Sequence, residues 1–419
     1  MSERSYPMES GVNLRSLRKT APVEDAEPEI PADEPDDFAP TEADLAEARP
    51  ALPPLSDLLP ESQGHETDPA KWGFRGWVNA ASGGLLKLAP QTPEITARAA
   101  REAVRQQWIG HQRIAVANPK GGEGVTPTAL TMGNVFASER GSSVLVWDNN
   151  EAEGTLASRA IATRQEETVW DLLEHAEQLA DPGADRAALS SFVRLQPTRA
   201  EVLAADEDPH GTGLIGAEQC RSIDAVLRRY RELTIIDTGN NRRRSNWLWS
   251  MYNAHLLVVP MTYREDSGRV VVRMLATLHE IGLSALVTNA IVVLTEPLGG
   301  VDPDVRSRIH DWLQRAGIRN LVEVPFDPIL AGGGRIDHSK LSEPSIAAWT
   351  QVCAMAATSL AVSSQRRGRE LRSRANPQSF RRPEERRPLD ETGGEYADFD
   401  DPYAGGAEIR PFNTRRFGA

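Results

Sequence analysis

Three short stretches of this chain carry residue types that chemistry on a phosphate would use. AVANPKGGEGVTPTAL sets Gly121, Gly122 and Gly124 just ahead of a helix-forming run, with Thr126 two residues further on. Glycines permit a tight turn whose backbone N–H groups close around an anion, and a helix N-terminus adds favourable dipole there. Thr126 stands where a hydroxyl ligates Mg²⁺. The second stretch, VLVWDNNEAEGTL, ends an apolar run on Asp148, followed by Asn149, Asn150 and Glu151. The third, LTIIDTGNN, ends another on Asp237, followed by Thr238, Gly239 and Asn240. An acid closing an apolar strand is a common arrangement, and a short glycine cluster alone is only a turn. Their succession along one chain is what gives them weight.

Those residues need a frame, and the apolar pattern supplies one. RIAVANPK, SSVLVWD, ELTIIDTG, AHLLVVPMT, TNAIVVLTE and LVEVPFDP are short, nearly continuous apolar runs, as expected of strands buried on both faces of a parallel sheet. Helical segments such as VTPTALTMGNVFASER, EDSGRVVVRMLATLHEIG and VDPDVRSRIHDWLQRAG alternate with them and supply crossovers. The expected fold is α/β: a doubly wound, mostly parallel sheet flanked by helices over residues 111–362. The glycine-rich turn then joins the first strand to its helix, the setting of a P-loop. The general pattern is G-x-x-x-x-G-K-[ST], and here Val125 replaces its lysine.

With strand, loop and helix in that order, the run from Pro119 to Thr126 resembles the deviant Walker A motif KGGxGK[ST] of ParA/MinD partition ATPases. Thr126-Pro127-Thr128-Ala129-Leu130, the D-N-N-E run from Asp148 and GGGRIDHSKLS at 332–342 are similar to a branch from actinobacterial plasmids and mobile elements. The resemblance covers residues 70–362. It implies ATP and Mg²⁺ as cofactors, with Gly121, Gly122, Glu123, Gly124, Val125, Thr126 and Pro127 around the phosphates. It makes Lys120 the lysine that reaches the nucleotide of a second subunit in a homodimer, and Asp148 the group that orients attacking water. Asp237 takes the Walker B position, holding Mg²⁺ together with Thr126, and Pro325, Phe326 and Asp327 form the loop beside adenine. Val125 departs from the family at the lysine that grips the β- and γ-phosphates. Positioning and electrostatics supply nearly all the rate in phosphoryl transfer, so two outcomes stay open. Either Lys120 compensates, or the chain is a non-hydrolysing adaptor of the same fold.

Outside that region composition changes. Of 419 residues, 26% are charged and the formal net charge is −13, distributed unevenly. Residues 1–65 are rich in Pro, Glu, Asp and Ala, and disorder is expected there. Residues 66–110 hold Trp72, Phe74, Trp77, Val78, Leu85, Leu86 and Leu88 among basic residues, then a helix from Pro93 to Ile109. A strap packed on the core is the expected role, because apolar periodicity usually means packing; an amphipathic segment docking on a membrane surface or a partner is the alternative. Residues 363–419 are Arg-rich, then Gly- and Asp-rich, again with disorder expected. Their nine arginines between 366 and 387, together with Arg242, Arg243 and Arg244, offer nonspecific DNA contacts through phosphates, or simply a solvated tail. Cys220 and Cys353 have no metal-ligand spacing, MSERSYPMES has no apolar stretch of signal-peptide type, and no run approaches the ~20 apolar residues of a membrane span. A cytoplasmic protein is expected, with association with the nucleoid as an option. The resemblance implies a nucleotide-dependent dimeric switch for partition or positioning of plasmid or mobile-element DNA, reset by a ParB-like partner; the alternative is a MinD-like protein whose partner is a component of a type VII secretion locus.

Overall fold

In a computed structural model the described residues are 68–375, except 84, 142–143, 151–153, 186 and 206–213, with side chains described to Gly368. The expected disorder of 1–65, and of the tail beyond 375, falls outside them.

Eight strands form one sheet, β1 (Gln112–Val116), β2 (Val144–Asn149), β3 (Arg194–Leu195), β4 (Glu201–Leu203), β5 (Leu233–Thr238), β6 (Leu256–Thr262), β7 (Ile291–Thr295) and β8 (Asn320–Val324). Their order is β3-β4-β2-β5-β1-β6-β7-β8. Every pairing is parallel except β3 with β4. Six strands match the apolar runs; β3 and β4 are two and three residues long, too short to show a period. They meet through a tight turn in which Arg199 takes a positive φ of 72°.

The principal helices are α1 (Gly73–Ala81), α2 (Thr92–Val104), α3 (Val125–Arg140), α4 (Leu156–Arg159), α5 (Val169–Glu174), α6 (Ala176–Ala180), α7 (Ala217–Tyr230), α8 (Ser245–Asn253), α9 (Glu265–Glu280), α10 (Ser284–Asn289), α11 (Pro303–Arg315), α12 (Pro328–Ala331) and α13 (Glu343–Ala375). Alternate strand residues serve opposite faces. Ile114 and Val116 of β1 join a core with α2, α3 and α13, whereas Ala115 and Ala117 face a core built with α8, α9 and α11. A third core packs Leu145, Trp147 and Ile236 against α5, α6 and α7.

α13 corrects two expectations. It runs to Ala375, past the domain end placed at 362. Its Glu343–Gly368 stretch is also long and apolar enough to cross a membrane, yet 72% of its most apolar 18 residues is buried inside the fold. Cys353, Val352, Ala356 and Leu360 lie in the core, so burial against the sheet explains its composition.

α2 ends at Val104, five residues before the expected Ile109, and Arg105 closes it. The strap expectation also changes. Trp72, Phe74, Trp77, Leu85, Leu86 and Leu88 all remain exposed. What packs inward from α1 is Gly76 and Asn79.

Candidate nucleotide-binding site

β1 lies between β5 and β6, where the chain's course across the sheet reverses, and ligands of such folds gather at the carboxyl ends of those strands. The loop from Asn118 to Gly124 leaves β1 at that point. Asn118 shapes its entry: the amide donates to the Pro260 carbonyl at 2.8 Å while its oxygen accepts the Lys120 N–H at 2.9 Å. Gly122 (φ +80°) and Gly124 (φ +89°) are in the left-handed region, which a side chain would strain. Gly124 leads directly into α3, and Gly141 (φ +87°) ends that helix.

A cavity of about 820 Å³ opens over the loop. Its walls include Gly121, Gly122, Glu123, Gly124, Val125, Thr126 and Pro127, together with Asn150, Thr155 and Arg159. Gly239 and Asn240 come from the end of β5, and Pro325, Phe326 and Asp327 from the end of β8. The structure thus brings together the sequence-picked loop residues and the segment following β8.

Val125 is partly buried and packs against the apolar core. It offers no charge to an anion in the loop.

Asp148 and Asp237 face each other in the register of β2 and β5, both buried. Asp148 accepts the backbone N–H of Leu156 at 3.0 Å and of Asn150 at 3.3 Å. Gly154 lets that loop approach, since a Cβ there would stand 2.0 Å from the Asp148 Oδ2. Burial, then the neighbouring Asp148 charge, pushes the Asp237 carboxyl well above the ordinary aspartate range, and a Thr126 hydrogen bond only partly offsets them. Thr126 also lies 3.2 Å from the Thr155 hydroxyl. A buried carboxylate pair beside a hydroxyl is a hard-oxygen donor set, and it fits Mg²⁺ held jointly with phosphate oxygens.

Lys120 lies inside a polar clamp. Its Nζ stands 2.8 Å from Asp266 Oδ2, 2.9 Å from Glu123 Oε1 and 2.9 Å from Ser267 Oγ. Glu123 is only 5% exposed, accepts the Thr262 N–H at 2.8 Å and its hydroxyl at 2.9 Å, and also accepts from Ser267. Burial works to raise the Glu123 pKa, but the bonds from Ser267, Lys120 and Thr262 outweigh it and hold the carboxyl below its usual range. For Lys120, burial is likewise outweighed, here by Asp266 and Glu123, and the ammonium pKa rises. Glu123 therefore grips the lysine as a carboxylate.

Asp327 also has a structural part. It caps α12 through the Ile329 N–H at 3.0 Å and accepts both the Ser342 N–H and hydroxyl at 3.0 Å. Asn149 is buried in a clamp with Ser250, Asn246 and Cys220, so it belongs to the core and not to the cavity. Glu151 lies outside the described residues.

Arg159 was not foreseen from sequence. It is the last residue of α4, and its guanidinium donates to the Leu330 carbonyl at 2.8 Å while its Nε is buried without a hydrogen-bond partner among the described residues. Burial lowers its pKa. A lone arginine after an unremarkable LAS run gives no sequence signal. Asp266 and Ser267 were missed for the same reason: they open α9 far from the loop and meet it only through the β6 crossover.

A parallel sheet whose first strand feeds a glycine-rich loop and helix at the switch point, with carboxylates ending two adjacent strands, is the P-loop NTPase fold. Solved structures similar to this chain include a ParA family ATPase from Chlorobium tepidum TLS, at 13% identity, 58% of this chain and 98% of that one, with a TM-score of 0.47. The cell division ATPase MinD of Pyrococcus furiosus is similar at 14% identity over 58% of this chain and 98% of that one, TM-score 0.43. Among characterised sequences, the ESX-1 secretion-associated protein EspI of Mycobacterium tuberculosis (strain ATCC 25618 / H37Rv) is 26% identical over 266 residues, 63% of this chain. The chain spans 39% of that relative's length. No family model matches.

Proposed function

We propose that this chain is a ParA/MinD-like nucleotide switch that binds Mg²⁺–ATP in the cavity over the Gly121–Gly124 loop and hydrolyses it weakly or not at all. The observation behind this is the joint placement of Asp148, Asp237 and Thr126 beside a glycine loop whose lysine position holds Val125. Thr126 and Asp237 would hold the magnesium ion, which supplies neutralising charge at the phosphates when bound. Loop N–H groups and the α3 N-terminus bind the phosphates, Pro325 and Phe326 flank the base, and Asp148 orients water. Arg159, which lines the same cavity, supplies positive charge, and Lys120 engages a second subunit once released from Glu123 and Asp266.

Nucleotide-driven dimerisation tests the switch. Light scattering after size exclusion should give a dimer with Mg²⁺–ATP and a monomer with Mg²⁺–ADP. The same mass in both states would leave a fixed adaptor.

The cargo we favour is secretion machinery, and the segment similar to EspI supports that reading. The protein then acts in the cytoplasm with a secretion component as partner. Partition of plasmid or mobile-element DNA with a ParB-like partner is the other reading, motivated by the arginines of the C-terminal segment, which lie mainly outside the described residues. Duplex DNA separates the two: partition requires nonspecific binding that strengthens with ATP and weakens steeply with salt, and the secretion reading requires neither.

A further inference from the structure

The face formed by α1 and the loop after it has no role in the nucleotide site. Six of the ten exposed large apolar side chains among the described residues fall between 72 and 88, too dense a cluster to be scattered surface residues. Phe74 is 76% exposed, Trp77 66% and Leu85 91%, and the Phe74 and Trp77 rings stack with centroids 6.1 Å apart.

Polar groups fix this display from behind. The buried Asn79 amide donates to the carbonyls of Ala70 (2.9 Å) and Leu88 (3.0 Å), and its oxygen accepts the Leu88 N–H at 2.8 Å. Glu94 of α2 accepts the Lys71 N–H at 2.7 Å and is ion-paired with Arg98. Gly76 is required where α1 crosses the Lys71 backbone, because a Cβ there would come within 2.2 Å of it. The loop is thereby held beside the helix, and the aromatic side chains are left outward without a partner from the described fold.

Charge indicates what covers them. Lys71, Arg75 and Lys87 are exposed, and no acidic residue occurs between Asp68 and Glu94. We propose that α1 and its following loop form a docking surface for an anionic lipid bilayer. Trp72, Phe74, Trp77 and the leucines would enter the headgroup–acyl boundary, where amphipathic aromatic rings are favoured, while the three cations meet lipid phosphates. The surface is preformed, so little chain ordering opposes binding.

Sedimentation of the full chain with vesicles tests this. One set is phosphatidylcholine alone, the other phosphatidylcholine with phosphatidylglycerol. The chain should pellet with the anionic vesicles at low salt and progressively less as salt screens the contact. Phe74→Glu with Trp77→Glu should abolish pelleting while the circular dichroism spectrum is unchanged, as expected for exposed positions. Lys71→Gln with Lys87→Gln should weaken it by about fivefold per charge removed. Three results would each overturn the proposal: wild type that ignores anionic vesicles at low salt, aromatic variants that still pellet, or aromatic variants that only convert a self-associated wild type to monomer. The last would assign the face to a second copy of the chain.

Discussion

Asp148 and Asp237 occupy paired positions on adjacent parallel strands, so two buried carboxyl groups share the space below the glycine loop. Burial first, and then the neighbouring Asp148 charge, make the Asp237 carboxyl resist ionisation. A cation relieves the conflict, and stability and magnesium binding become linked.

Asp237→Asn should therefore stabilise the magnesium-free chain by about 1–3 kcal/mol at neutral pH, the scale for an uncompensated buried group. The sign follows from linkage: with the folded pKa raised, the native state binds more protons, and its stability declines as pH climbs above the unfolded aspartate value of 3.8. Thermal melts across pH should show a smaller decline in the variant. They should also lose the rise in Tm that magnesium gives wild type.

Glu123→Gln should act oppositely. With the Glu123 pKa held below its ordinary 4.5, the carboxylate stabilises the fold above that pH, and the gain fades as pH falls through the folded value. The expected loss at neutral pH is about 1.5–3 kcal/mol, typical of charge-assisted hydrogen bonds, and it should vanish in acid. Chemical denaturation at neutral and acidic pH measures it. Lys120 keeps its contacts with Asp266 and Ser267 in this variant, so its release for a second subunit needs Asp266→Asn as well.

Gly154→Ala should lower stability by about 1–3 kcal/mol through overpacking, because the new Cβ meets both the Asp148 carboxylate and the Ala205 methyl, at 2.0 and 2.6 Å. Magnesium should restore less of the Tm than in wild type, since displacement of Asp148 damages the same donor set.

The legible parts of this protein were those with local patterns. Six strands announced themselves as apolar runs, and the glycine loop, Asp148 and Asp237 were placed by following those strands to their ends. β3 and β4 were invisible because two or three residues carry no period. The Lys120 clamp was invisible because Asp266 and Ser267 are remote in sequence, and only the β6 crossover brings them to Glu123. Burial of the 72–88 aromatics was expected from their apolar spacing, yet Asn79 and Gly76 take the inward positions. A period identifies an amphipathic face without saying which side meets the protein.

Arg159→Ala should weaken Mg²⁺–ATP binding by about 1.5–3 kcal/mol if the guanidinium meets the nucleotide, and Arg159→Lys should recover part of it. A fluorescent ATP analogue titration reads both. Unchanged affinity would confine Arg159 to its Leu330 contact.

A loop lacking its lysine should still form a magnesium–nucleotide site. Calorimetric titration of ATP, with and without Mg²⁺, into wild type, Val125→Lys and Asp148→Asn/Asp237→Asn tests it most directly. Wild type should bind only with magnesium, Val125→Lys should bind more tightly by about 1.5–3 kcal/mol, and the double carboxylate variant should not respond to magnesium. Absence of binding in both wild type and Val125→Lys would mean that the loop is no nucleotide site.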